Sequence, residues 1–254
     1  MNVTTLHAEK IKSASEVASL VNSGDTLEFG FTVSKPDLFD VALAEQKDRL
    51  SDVIIRGALS CAPVAVVECD PEQKHFEYQN WHMSGYDRKK SALGEMSYIP
   101  FNFGEGPGIY RNNLSVDLVV IKTAPMDEHG YFNFGVSNSY IRAACDIAKK
   151  IVVETSTAIP VCYGSQNTVH ISELTAIIEG NNAPLFELPS AAISDIDRAV
   201  ADLIVPLIDD RSCLQIGIGG MPNAVCSALA SSDVKDLGIH TEMFVDGMVD
   251  LIEA

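Results

Sequence analysis

The stretch LSVDLVVIKTAP, Leu114–Pro125, is almost continuously apolar through its centre and shows no alternation of polar and apolar side chains. A strand with one wet face carries a period of two, so a strand without that period is covered on both faces. Such coverage comes from helices, and crossover helices make the sheet between them parallel. Segments that fit this plan lie on either side. TLEFGF (Thr26–Phe31) alternates as a strand, preceded by a short helix over Ala14–Val21 that Asn22–Ser23–Gly24 stops. Ser34 is placed to cap a helix that has Pro36 early in it and runs to about Leu50. Val53–Ser60 and Pro63–Asp70 read as a second and a third buried strand. Further on, Tyr140–Lys150 reads as a helix, and Ile151–Thr155 and Leu174–Gly180 as strands. The expectation is an α/β fold of open, mainly parallel sheets with helices.

Between these segments, His82–Tyr110 is rich in Gly, Pro and aromatic residues and reads as a long loop region with short helices. Its basic patch, Arg88–Lys89–Lys90, reads as a solvated face. Asp127–Ser137 reads as a turn followed by a strand. Within it, Asp127–Glu128–His129 is better explained by the turn than by a metal site, because two adjacent acids and one histidine point in different directions. No metal is expected.

Asn181–Pro189 has the composition of a linker, dividing residues 1–188 from a second unit, 189–254. That unit opens on a capping box, Ser194-Asp195-Ile196-Asp197, with Asp in the usual Glu position. A helix to about Ile208 follows, then strand Leu214–Gly219, helix Pro222–Ala230, strand Gly238–Glu242 and a final helical turn. A parallel sheet of two strands cannot cover its own faces. The second domain is therefore expected to be incomplete and the chain to be part of a longer polypeptide, unless both strands extend the first sheet.

Bulk composition narrows the function classes. Hydrophobic residues make up 46 % of the 254 residues and charged residues 21 %, the balance of a folded core. A net charge of −17 disfavours nucleic acid and anionic membrane surfaces as partners. The N-terminal residues show no apolar signal-peptide core, and no run approaches the length of a membrane span, so a cytoplasmic location is expected. The six cysteines form no CxxC pair and read as buried free thiols.

Two features of the second unit bear on chemistry. QIGIGGMPNAV has the order strand, glycine loop, helix, which suits either a tight turn or an anion or oxyanion site built from main-chain N–H groups. It is not a dinucleotide fingerprint, since Gly217-x-Gly219-x-x-Pro222 lacks the third glycine. Glu242 ends the neighbouring strand, and ligands of open α/β sheets bind at the carboxyl ends of strands. Gly217, Ile218, Gly219, Gly220 and Met221 are thus expected to share one crevice with Glu242. His240, two residues away, shares that face of the strand. A solvent-facing glutamate at a strand end is the plainer alternative.

LQIGIGGMPNAV followed by LGIHTEMFVDGMVDL resembles the acetyl-CoA hydrolase/CoA-transferase family, and within it the 4-hydroxybutyrate and butyrate CoA-transferases. DDRSCLQIGIGGMPNAV and PMDEHGYFNFGVS match the family pattern as well, and the resemblance runs from about Gly24 to the end. It implies two related open α/β domains, homo-oligomers, and a ping-pong transfer of CoA between an acyl-CoA and a short-chain carboxylate. Coenzyme A is then a substrate and no cofactor is tightly held. It also implies that Glu242 is the covalent nucleophile and that Gly217–Met221 contact CoA and help bind the oxyanion. Family members continue well past this point with a further glycine-rich segment, the C-terminal remainder of the fold, as a partner in the CoA site. A free glutamate titrates at about 4.3, so such a nucleophile needs no general base at neutral pH. Residues 151–254 hold three Lys/Arg against fifteen Asp/Glu, so this half is expected to offer the phosphates of CoA little attraction. An acyl-CoA hydrolase using the same glutamate, or a nucleotide-binding module without chemistry, are the rival readings.

Overall fold

The computed structural model describes residues 2–188 and 192–254, which separate into two compact units, residues 1–186 and 187–254. In the first, seven strands form one sheet in the order β4-β3-β2-β1-β5-β7-β9, and every neighbouring pair is parallel. They are β1 (Thr26–Phe31), β2 (Val53–Ala58), β3 (Phe76–Asn80), β4 (Ser97–Tyr98), β5 (Val116–Thr123), β7 (Ala148–Thr155) and β9 (Ala176–Glu179). A separate antiparallel pair joins β6 (Tyr131–Asn133) to β8 (Thr168–His170). The helices of this unit are α1 (Val3–Lys10), α2 (Ala14–Ala18), α3 (Asp37–Ala44), α4 (Ala65–Cys69), α5 (Gly85–Ala92), α6 (Gly106–Asn113) and α7 (Ile141–Ile147).

The two-sided burial expected of the Leu114–Pro125 run is what places β5 near the middle of the sheet. Leu118 and Val120 pack with residues of α2, α3 and α4 on one face. Val119 and Ile121 pack with Tyr110 of α6 and Ile141 and Ala144 of α7 on the other. Fully burying one such aliphatic side chain contributes about 1.5–3 kcal/mol, so each face of β5 contributes several.

In the first unit the sequence reading departs from the structure at several places. Pro63–Asp70 is not a strand: its core, Ala65–Cys69, is α4. Its N-cap, Val64, has no capping side chain. Instead the buried carboxylate of Asp40 accepts the N–H groups of Ala65 (2.7 Å) and Val66 (3.1 Å), supplying the cap from 25 residues away. The third strand is Phe76–Asn80, where Phe76, Tyr78 and Asn80 alternate inward. Ser34 is not a helix cap; its hydroxyl bonds the N–H and carbonyl of Phe31. Glu154 of β7 caps α3 instead, accepting from the N–H groups of Leu38 and Phe39, and α3 stops at Ala44 rather than near Leu50. Finally, the helix expected to reach Lys150 ends at Ile147, where β7 begins.

The region His82–Tyr110 does hold short helices, α5 among them. Within its basic patch Lys90 pairs with Glu68 and Glu95, and Arg88 donates to the Met83 carbonyl. Asp127 closes the expected turn by accepting from the N–H groups of His129 and Tyr131. The second unit contains α8 (Asp195–Ile204), α9 (Gly220–Ala230), α10 (Asp246–Glu253) and a two-stranded parallel sheet of β10 (Cys213–Leu214) and β11 (Gly238–Ile239). These strands form their own sheet rather than extending the first. The Ser194–Asp197 capping box of α8 is present in both directions. Among the described residues no helix is long and apolar enough to cross a membrane.

Asp40 also pairs at 2.8 Å with Lys35. Burial alone would lower the pKa of that ammonium; the charges of Asp40 and Asp37 outweigh it and raise the pKa instead. Asp40→Ala therefore removes a cap and leaves the largely buried Lys35 with Asp37 as its remaining acidic partner, and is expected to cost about 2 kcal/mol in urea unfolding. Asp40→Asn, which keeps an acceptor oxygen for one N–H, is expected to cost less.

Candidate active site

The residues expected to form a crevice in the second unit follow two short strands and open one helix. β10 and β11 are shorter than the sequence reading of Leu214–Gly219 and Gly238–Glu242: regular pairing is confined to Cys213–Leu214 against Gly238–Ile239. One further main-chain bond follows, His240 N–H to the Leu214 carbonyl at 2.9 Å. Beyond it a side chain takes over. The Thr241 hydroxyl donates to the Ile216 carbonyl at 2.9 Å and accepts from the Ile216 N–H at 3.4 Å. This latch sets Thr241 beside Ile216; Glu242 and Gly217 are the next residues along the two segments.

The glycines of that segment are not interchangeable. Gly219, the N-cap of α9, has φ +125°, a conformation that a Cβ strains. At Gly220 a Cβ would lie 2.9 Å from Asp197 Oδ2 and 3.1 Å from the Ala192 carbonyl. Gly217 is exposed and a Cβ there would meet nothing within 4 Å. By helix geometry the first-turn N–H groups of α9, those of Gly220 and Met221, have no partner inside the helix, and Pro222 has no N–H at all. They mark the positive end of the helix dipole, suited to an anion or an oxyanion. Glu242 is exposed, and so are Ile218, Met221, Met243 and Phe244. His240 is exposed as well, while Cys226 is buried and Cys213 exposed.

The first unit holds polar constellations that the sequence reading did not single out. Lys122 of β5 pairs with Asp37, which also pairs with Lys35 at 3.2 Å, beside a cavity of about 250 Å³ that Cys61 also lines. Glu154, paired in register with Lys122, is buried, and that burial pushes its carboxyl pKa up against the two N–H groups it accepts. At the carboxyl ends of β1 to β4 lies a second cavity, of about 180 Å³, walled by Phe31, Trp81, Tyr98, Phe101, Phe103 and Tyr140. Behind it Glu28 is fully buried, bonded to Tyr110 and Tyr140, and burial pushes its carboxyl pKa to about 7. The signal for all three was a charged residue inside an apolar strand: LEF, VIKT and VVET. Among the described residues no group of three or more His, Cys, Asp and Glu is arranged to hold a metal ion.

A family profile described as the acetyl-CoA hydrolase/transferase N-terminal domain matches residues 1–189. The chain belongs to the acetyl-CoA hydrolase/transferase family. Members of known name extend the match into the second unit. The chain is 44 % identical over 251 residues to a butyryl-CoA:acetate CoA-transferase of Anaerostipes caccae, covering 98 % of this chain and 56 % of that one. The structure of RipA from Yersinia pestis superposes with a TM-score of 0.89 at 30 % identity, covering 100 % of this chain and 60 % of RipA. That of a 4-hydroxybutyrate CoA-transferase from Porphyromonas gingivalis gives 0.75 at 30 % identity, covering 98 % and 58 %. The chain thus spans somewhat more than half the length of these family members.

The Thr241 latch is testable on its own. Thr241→Val keeps the shape and removes both bonds, and is expected to cost about 1 kcal/mol. Native-state hydrogen exchange should then speed up at the Ile216 amide while the amides of β5 keep their protection.

Proposed function

We propose that this chain takes part in moving coenzyme A between an acyl-CoA and a short-chain carboxylate, butyrate or 4-hydroxybutyrate with acetate, with Glu242 as the covalent nucleophile. The observation that supports the reading is the Thr241–Ile216 latch, which ties the residue before Glu242 to the residue before the glycine segment that leads into α9. The names of the relatives at 30–44 % identity supply the substrate class.

The chemistry balances without ATP or a metal ion. A carboxylate oxygen of Glu242 attacks the thioester carbonyl, the C–S bond breaks, and CoA leaves as thiolate, giving a mixed acyl–glutamyl anhydride. The thiolate then attacks the glutamyl carbonyl. The first carboxylate departs, and a glutamyl-CoA thioester remains. A second carboxylate repeats the two steps in reverse, regenerating the Glu242 carboxylate. Each tetrahedral intermediate bears an oxyanion, for which the N–H groups of Gly220 and Met221 are the assigned donors. Losing one such donor typically costs about 100- to 1000-fold in rate. Ile218, Met221, Met243 and Phe244 give the carboxylate apolar neighbours, which limit access of water to the two acyl intermediates.

Hydrolysis of acyl-CoA through the same thioester is the second reading, favoured by the exposure of Glu242 to solvent and by the family's own name. Supplying labelled acetate separates the two: transfer places the label in acetyl-CoA, whereas hydrolysis releases free CoA at a rate that acetate does not change.

Incubation with butyryl-CoA followed by borohydride should reduce a glutamyl-CoA thioester to the primary alcohol. Peptide mass spectrometry is then expected to find that alcohol at position 242. Modification at another carboxylate, or none while acyl exchange proceeds, overturns the assignment. Glu242→Gln is expected to lower exchange on the order of 1000-fold or more while leaving the unfolding midpoint in place, since the side chain is exposed.

A further inference from the structure

In the first unit, a buried carboxylate with no evident catalytic task sits behind an aromatic cavity. Glu28 is wholly excluded from solvent in β1, at the centre of the sheet. Its Oε1 accepts from the Gly30 N–H at 2.9 Å and from the Tyr140 hydroxyl at 3.1 Å, and its Oε2 is bonded by the Tyr110 hydroxyl. Tyr110 in turn accepts from the indole N–H of Trp81 at 3.0 Å, and its ring stacks on Tyr140 at 4.8 Å. Trp81, Tyr140 and Phe31 are three walls of the cavity at the carboxyl ends of β1 to β4. Phe31 reaches that position through an irregularity in the β1–β2 register between Glu28 and Phe31, and the bond from Gly30 to Glu28 closes it.

The network has two ways to be satisfied. An ionised carboxylate only accepts, and it takes three N–H or O–H groups here. A neutral carboxyl group must also donate. Its proton turns one of the phenol oxygens into an acceptor, and that phenol's own hydrogen needs another place to go. Tyr140 has one at hand, since its hydroxyl lies 3.4 Å from the Gly30 carbonyl. Among the described residues the Tyr110 hydroxyl bonds only Glu28 and the incoming Trp81 N–H, so protonation at Oε2 puts two donors on one phenol oxygen and leaves its own hydrogen without an acceptor.

We propose that Glu28 is a positioning residue for the aromatic cavity, its protonation deciding how the hydroxyls of Tyr110 and Tyr140 turn and hence how Trp81, Tyr140 and Phe31 are held. Glu28 touches no ligand itself; it acts through the cavity walls. It is a group able to change state under ordinary conditions, because burial lifts its pKa to about 7 against the bonds from Tyr110, Gly30 and Tyr140. The other ionisable groups around it come from every element packed there. Arg56 of β2 stands opposite in register but spends its guanidinium on Gln79 and the Ser115 carbonyl. Tyr78 of β3, Tyr110 of α6, Tyr140 and Cys145 of α7 are all raised, first of all by burial. On the β5 side the register partner is Val119, which carries no charge. His82 lines the cavity and is the one other group there to be controlled for.

The chain carries its own reporter, since Trp81 is its single tryptophan. Trp81 emission, excited where tyrosine does not absorb, should titrate in the wild type with a midpoint near 7. The transition is expected to vanish in Glu28→Gln and to persist in His82→Gln. A wild-type signal flat across this range, a transition surviving Glu28→Gln, or one removed by His82→Gln overturns the proposal. Should circular dichroism show Glu28→Gln to be unfolded, Tyr110→Phe decides: it keeps the carboxylate and cuts its link to Trp81, so the transition should be lost, and an unchanged transition overturns the proposal. The linked stability runs in a fixed direction. A carboxyl group with a raised folded pKa favours the folded state below its unfolded value of about 4.5 and loses that contribution as pH climbs through about 7. Unfolding midpoints of the wild type should therefore fall over that window relative to Glu28→Gln.

Discussion

A parallel sheet buried on both faces leaves its crossover helices with a problem, and the answer to it shapes the first unit. Each helix begins with N–H groups that its own turn cannot satisfy, and at α3 and α4 those ends include N–H groups buried away from water. The N-caps of α3 and α4, Pro36 and Val64, have no side chain able to help. Buried carboxylates do it instead: Glu154 from β7 for α3, and Asp40 from within α3 for α4. The cap of each helix is thereby a tertiary contact. α3 is tied to β7 and α4 to α3, so the position of α4 depends on α3 and that of α3 on β7. The same economy appears at Asp70, Asp87 and Asp117, whose oxygens accept the N–H groups of Phe76, Ser60 and Thr26.

This device also explains which parts of the fold were legible from residues alone. β1, β2, β5, β7 and β9 were visible because hydrophobic patterning is a local property, although β1, read as alternating, is buried from Thr26 to Gly30 with Glu28 included. Ala65–Cys69 was misread because a short run of Val, Val and Cys carries no period, and the feature that makes it helical is the Asp40 carboxylate far away in sequence. Phe76–Asn80 was missed for the opposite reason: it alternates with Glu and Gln on its less buried side, in a stretch dominated by loop-forming residues. In the second unit the capping box at Ser194 was fully legible, being local in both partners. The lengths of β10 and β11 were not, because nothing local indicates that a threonine hydroxyl will replace main-chain pairing at Ile216.

For the site, the sequence offered residue types and their order, while the fold supplied the bond that ties Thr241, the residue before Glu242, to Ile216, the residue before Gly217. The acidic groups inside β1, β5 and β7 were equally present in the sequence but lacked a motif. A charge inside an apolar run carries information only once its partners are known. For Glu154 the partners are helix N–H groups, and for Glu28 they are two phenols. One reads as scaffold and the other as something able to change state, although both are buried glutamates on strands paired on both sides.

The latch between Thr241 and Ile216 has a further consequence for how such a surface can diversify. The path of the main chain through Gly217–Met221 is fixed by a hydroxyl, by the conformation of Gly219 and by the contact of Gly220 with Asp197. None of these depends on the side chains at 218, 221, 243 and 244, which project outward and make little of the core. Residues there are free to be exchanged for larger, smaller or more polar ones without disturbing the backbone that carries the carboxylate. Selection among guests and preservation of the host architecture are thus written in different positions, and one can drift while the other stays put.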